Sequence, residues 1–152
     1  MPEPETIHAA PTRVRRKNGA SAGTRFASTG YRYAMSDDNC IFCKIARGEL
    51  PCKKVYEDDE VLAFHDIRPH APVHILVIPK LHVASLAECD MSHRDILGKI
   101  MVLVPQLARE HGATEGFRTI INTGRVGGQE VYHLHVHILG GPTALGPMLR
   151  RD

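Results

Sequence analysis

The chain has 152 residues, 43% of them hydrophobic and 24% charged, with a net charge of +2. That length supports one ordinary globular core, and no apolar run approaches the ~18 residues that a membrane-spanning helix requires. The charge is uneven: residues 1–34 hold six basic and two acidic side chains, leaving 13 basic and 15 acidic for the rest. The basic character therefore belongs to an extension over residues 1–37, rich in Ala, Ser, Gly and Pro, which reads as a solvated, disordered tail. Neither a nucleic-acid partner nor a membrane is expected, and one folded domain is expected over 38–152. Met35, directly before SDDNCIFCKI, reads as a possible start of translation. No apolar stretch follows the first basic residues, so no secretory signal is read. Without one, the Cys-x-x-Cys pair Cys40 and Cys43 points to metal or redox chemistry in a cytoplasmic protein rather than to disulfides, and Cys52 and Cys89 read as ordinary core or surface residues.

In chain order, CIFCKIARGEL predicts a short helix over roughly 41–47, stopped by Gly48. KKVYE and EVLAFHD read as two strands joined by an acidic turn, and RPHAP as a proline-bounded loop. VHILVIPK is a strongly aliphatic strand. Ser92 to His111 predicts the one long helix, with Ser92 as its cap and Asp95 three residues on. Ile96, Leu97, Ile100, Leu103, Val104 and Leu107 recur at helical spacing as its buried face, Gly112 ends it, and Pro105 predicts a kink or break inside it. FRTIINTG is a further strand, RVGGQ a glycine loop, and VYHLHVHIL the last strand. Five strands with one long and one short helix make an α+β domain with a largely antiparallel sheet.

The last strand carries the chemistry. His133, His135 and His137 alternate with Leu134, Val136 and Ile138, so an extended chain turns three imidazoles to one face and branched aliphatics to the other. A lone histidine on an apolar face is usually a satisfied core residue, but three in five residues make that a minority reading. His-x-His on a strand also suits zinc. The third reading is nucleophilic catalysis at phosphorus, in which a neutral imidazole attacks while neighbouring imidazoles and backbone amides hold the phosphoryl oxygens. The flanks favour this last: Gly127–Gly128 allow backbone to approach an anion, Gly140–Gly141 follow the ladder, and Asn122 and Gln129 can donate hydrogen bonds without adding charge. Asp66 could bind ribose hydroxyls, with Phe64 and Ile67 as apolar walls for a base.

HLHVHIL, together with NCIFCKI, EDDEVLAFHDIRPHAPVHILVIPK and INTGRVGGQEVYHLHVHILGG in that order, resembles the histidine triad (HIT) superfamily across residues 38–149. AFHDI, VIPK, the GGQ before the triad and the LGPML ending are similar to its histidine triad nucleotide-binding (HINT) branch, in the bacterial form. The resemblance implies a HIT-like fold and a homodimer that cleaves purine nucleoside phosphoramidates, binding a purine nucleoside monophosphate such as AMP or GMP. It implies His135 as nucleophile, His137 at the phosphate and leaving amine, and His133 and His74 in support. Phe64, Asp66 and Ile67 match the nucleoside pocket, and Asn122, Gly128, Gln129 and Val131 match the phosphate-lining positions. Glu130 stands where animal members carry a serine, and the tryptophan of animal members is missing after Gly141. No cofactor is required for catalysis on this reading. Some bacterial members complete a Cys-x-x-Cys zinc site with two histidines, here His82 and His133 beside Cys40 and Cys43; the alternative is two buried thiols. The rival functions are a dinucleoside polyphosphate hydrolase of the same superfamily and a zinc-stabilised nucleotide-binding scaffold with little turnover.

Overall fold

The computed structural model describes residues 38–148; the expectations for the 1–37 extension, Met35 included, lie outside the described residues. The elements are α1 (Ile41–Ala46), β1 (Lys54–Glu57), β2 (Val61–His65), β3 (Val73–Pro79), α2 (Arg94–Glu110), β4 (Phe117–Ile120) and β5 (Val136–Gly140), with two short 3-10 turns before α2. The strands form one antiparallel sheet in the order β1-β2-β3-β5-β4. The α+β fold with a largely antiparallel sheet expected from the residues is the fold observed, and it is the HIT-like fold that the resemblance implied. No helix among the described residues is long and apolar enough to cross a membrane.

Period-two alternation sends each central strand's side chains to two different cores. Val61, Ala63, Val73, Ile75, Val77, Val136 and Ile138 pack against Ile100, Val104, Leu107 and Ala108 of α2. Leu62, Phe64, Leu76 and Ile78 pack on the other face against Phe42 and Cys43 of α1 and Cys40 just before it. Gly140 lies where the sheet meets the segment after α2: a Cβ there would stand 2.5 Å from the Cβ of Ala113. The Gly140–Gly141 pair thus serves close packing, Gly141 lying against Pro72.

Several boundaries differ from the sequence reading. The long helix begins at Arg94, not Ser92, because Met91–His93 forms a 3-10 turn ahead of it; Asp90 caps that turn, its side chain accepting from the Ser92 backbone amide and its own amide donating to His93 Nδ1. The helix runs unbroken through Pro105, whose missing donor affects only the carbonyl of half-exposed Met101 one turn back, within reach of water. Gly48 adopts a left-handed φ of 77° just after α1, as the stop signal required. The strand read over FRTIINTG ends at Ile120. The one read over VYHLHVHIL begins only at Val136, because the Leu134 amide leaves the sheet to bond the Val83 carbonyl at 2.7 Å.

A candidate active site on the α1 face of the sheet

The shortened strand leaves His137 on β5 and His133 and His135 on the segment before it, yet their rings still gather on the α1 side. Phe42 of α1 meets His133 and His135 edge-on, with centroids 6.0 and 5.3 Å away, and the His135 and His137 centroids are 4.9 Å apart. His133 and His135 are buried and His137 is half-buried.

The hydrogen bonds assign each ring its proton. A carbonyl oxygen can only accept, so the 2.7 Å contact between His135 Nδ1 and the His133 carbonyl makes Nδ1 a donor. In the neutral ring the lone pair then sits on His135 Nε2. A second chain begins at the His70 backbone amide, which donates to His74 Nδ1 at 3.1 Å. That obliges His74 Nε2 to carry the proton, which it donates to His137 Nδ1 at 2.9 Å, leaving the His137 proton on Nε2. His74 reaches His137 because their strands pair with Leu76 opposite His137 and His74 opposite Leu139, making the two histidines diagonal neighbours. Burial, then the nearby His135 and His74 rings, push the His137 pKa down to about 4, so it is neutral at pH 7. Burial likewise lowers that of His74, against the pull of Asp66.

Asp66, His74 and His137 bring three donor atoms within 4.8 Å of one another, a spacing that could hold a metal. The His70 amide argues against it. With its Nδ1 lone pair engaged, His74 must lose its remaining proton to bind a cation through Nε2. The protonation pattern suits a relay of hydrogen bonds instead.

The other cluster has the opposite pattern. His133 Nε2 donates to the Pro79 carbonyl at 2.8 Å, which frees its Nδ1. Around that atom lie Cys40 Sγ at 3.4 Å, Cys43 Sγ at 3.5 Å and His82 Nδ1 at 3.3 Å, and Cys43 Sγ is 3.3 Å from His82 Nδ1. All four donor atoms fall within 4.8 Å of one another. A tetrahedron with metal–sulfur bonds of about 2.3 Å and metal–nitrogen bonds of about 2.05 Å has edges of roughly 3.3–3.8 Å. The donor set fits such an ion, and burial lowers the His133 pKa to about 4, keeping the ring neutral as a ligand must be.

The remaining expected residues are less uniform. Phe64 is buried against Phe42, with centroids 5.6 Å apart. Asp66 accepts the Arg68 amide through Oδ1 and faces His74 through Oδ2 at 3.5 Å. Ile67 is 92% exposed, an apolar side chain with nothing over it among the described residues. Val131 packs against the α1-side core and Glu130 is exposed. Gln129 spends its amide hydrogens on the Ala84 and Val131 carbonyls, at 2.7 and 3.0 Å, and its oxygen on the Gly124 amide. It braces the glycine loop and has no amide hydrogen left for a ligand. Asn122 donates to the Gly127 carbonyl across that loop. Gly127 is needed there because a Cβ would come within 2.4 Å of the Thr123 oxygen, and Gly128 has a φ of 73°. Sequence reasoning missed three parts: Phe42, the His70 amide and the Pro79 carbonyl. The aromatic between two cysteines was a visible hint for the first, whereas backbone groups leave no mark in a sequence. His65 packs edge-on against His111 at 5.2 Å.

Comparison with known proteins agrees with this geometry. The HIT domain family matches residues 47–144. HitA of Neisseria gonorrhoeae is 57% identical over 105 residues, covering 69% of this chain and 98% of HitA. Purine nucleoside phosphoramidase of Escherichia coli K12 is 47% identical over 113 residues, covering 74% of this chain and 94% of that enzyme. Among solved structures, a histidine triad protein from Clostridium difficile aligns with a TM-score of 0.69 at 50% identity, covering 74% of this chain and 98% of that one. A HIT family hydrolase from Legionella pneumophila aligns with a TM-score of 0.69 at 46% identity, covering 72% and 98%. The chain belongs to the HIT domain family, in its HINT-like branch.

Proposed function

We propose that this protein hydrolyses purine nucleoside phosphoramidates, in which AMP or GMP is joined through phosphorus to an amine, by way of a nucleotidyl-His135 intermediate. One observation carries the reading: His135 Nδ1–H is held by the His133 carbonyl at 2.7 Å, which leaves a nucleophilic lone pair on Nε2 beside His137. The likeness to a purine nucleoside phosphoramidase supports the substrate class.

In the first step His135 Nε2 forms a bond to phosphorus, the P–N bond breaks, and the departing amine takes up a proton from solvent. The positive charge on the nucleotidylated ring is stabilised through Nδ1–H and the His133 carbonyl. His137, its Nε2–H fixed by the His70–His74 chain, contacts the phosphoryl group and the leaving nitrogen. In the second step water adds to phosphorus, the His135–phosphorus bond breaks with its electron pair returning to Nε2, and the proton lost by the water passes to solvent, replacing the one consumed in the first step. Phe64 and Ile67 line the base site, Asp66 Oδ2 takes the ribose, and the Asn122–Val131 loop faces the phosphate. The Cys40, Cys43, His82 and His133 cluster is read as a closed structural zinc site, zinc supplying a crosslink from α1 to the triad segment. The protein works as a homodimer, for which exposed Met101 and Val102 on α2 and Phe117 on β4 offer apolar surface.

The test is His135→Ala assayed with AMP conjugated to a simple amine. Hydrolysis should fall to background while AMP binding persists; undiminished hydrolysis rejects the covalent route. Faster wild-type cleavage of a diadenosine polyphosphate than of the conjugate would move the protein to the neighbouring branch. No turnover of either, with AMP still bound, would favour the scaffold reading.

A further inference from the structure

Helix α1 has only six residues, too few to persist without tertiary support. It nevertheless makes two kinds of contact with the triad segment. Cys40, its N-cap, and Cys43 supply two donors to the metal cluster, and Phe42 between them lies edge-on against the nucleophile His135 at 5.3 Å. The third donor, His133, belongs to the same cluster through its ring and holds His135 Nδ1–H through its carbonyl. The His133 ring is thus clamped at both nitrogens, by the cluster at Nδ1 and by the Pro79 carbonyl at Nε2. A cavity of about 430 Å³ on the α1 side is lined by Cys43, Arg47, Lys80 and Ile96.

We propose that the Cys40/Cys43/His82/His133 cluster, filled by a zinc-type ion, is a positioning device for His135, holding its ring through the His133 carbonyl and the Phe42 side chain. The proposal rests on His135 being the nucleophile, but its structural content stands apart from turnover. Without the ion, four donors lose their common centre, α1 loses its anchor, and the His133 carbonyl is freed to drift. His135 then samples both neutral tautomers, and only the one with its lone pair on Nε2 can attack.

The experiment uses full-length protein with 15N-labelled histidine, zinc-loaded, chelator-stripped or carrying His82→Gln, which removes one half-buried donor and leaves α1 and the triad intact. The loaded protein should bind one zinc per chain and give a His135 ring spectrum of a single Nδ1–H tautomer. Stripping, or His82→Gln, should move both ring nitrogens toward averaged values. In turnover of an AMP–amine conjugate, kcat should fall about tenfold or more while KM stays close to wild type. A control independent of the fold of the stripped protein and of His82→Gln exchanges cadmium for zinc in the wild type; its longer bonds to sulfur should displace the His135 resonances with the fold kept. A wild type that takes up no zinc, or His135 resonances indifferent to stripping in folded protein or to cadmium exchange, would overturn the proposal. Loss of turnover in zinc-loaded wild type with the ring spectrum as expected would reject the phosphoramidase reading and leave this one standing.

Discussion

Acidification tests the assignment of His137 as a half-buried, neutral imidazole. Its pKa is pushed down from the ordinary 6.5 to about 4, chiefly by burial and then by the rings of His135 and His74. Above pH 6.5 neither the folded nor the unfolded ring holds the extra proton, and the group contributes nothing to the pH dependence of stability. As the pH falls, the unfolded ring protonates first, so stability is lost progressively from 6.5 down to about 4 and levels off below it. The gap between 6.5 and about 4 corresponds to about 3 kcal/mol for this one group. Urea unfolding of wild type and His137→Gln at a series of pH values from 8 to 4 measures it. Glutamine fills much of the same space and does not titrate, whereas the other histidines remain in both proteins. Wild type should therefore lose about 3 kcal/mol more than the variant across that window. Superimposable pH profiles would refute the burial argument and, with it, the neutral relay from His70 through His74 to His137.

Two further outcomes follow from the packing. Gly140→Ala forces a Cβ to within 2.5 Å of Ala113, and thermal unfolding should register a loss of about 1–3 kcal/mol; an unchanged melting temperature would mean that the segment after α2 yields freely. Burial alone would raise the pKa of Asp58, but the Lys99 ammonium, the Tyr56 hydroxyl and the Glu60 and Val61 amides together hold it well below the usual carboxylate range. Asp58→Asn should cost about 1–2 kcal/mol in denaturant unfolding at pH 7, and the difference from wild type should shrink only in strong acid, where the carboxylate itself is protonated.

The sequence by itself determined the elements that depend on local pattern. The aliphatic alternation of VHILVIPK, the helical spacing from Ile96 to Leu107 and the glycine stop at Gly48 are properties of neighbouring residues, and the chain obeys them. The histidine ladder was legible for the same reason, and so was the pairing of its chemistry with Cys40 and Cys43 once the family resemblance was seen. What only the tertiary structure decided is where each proton resides. The His133 and Pro79 carbonyls and the His70 amide assign the tautomers of His135, His133 and His74, and they come from backbone groups, which every sequence contains alike. Those contacts leave His133 a metal-ready ring, His74 a hydrogen-bond relay and His135 a ring with its lone pair on Nε2, although the three side chains are chemically identical. The register between β3 and β5 and the packing of a six-residue helix brought those partners together. Both are long-range events that no local spacing encodes.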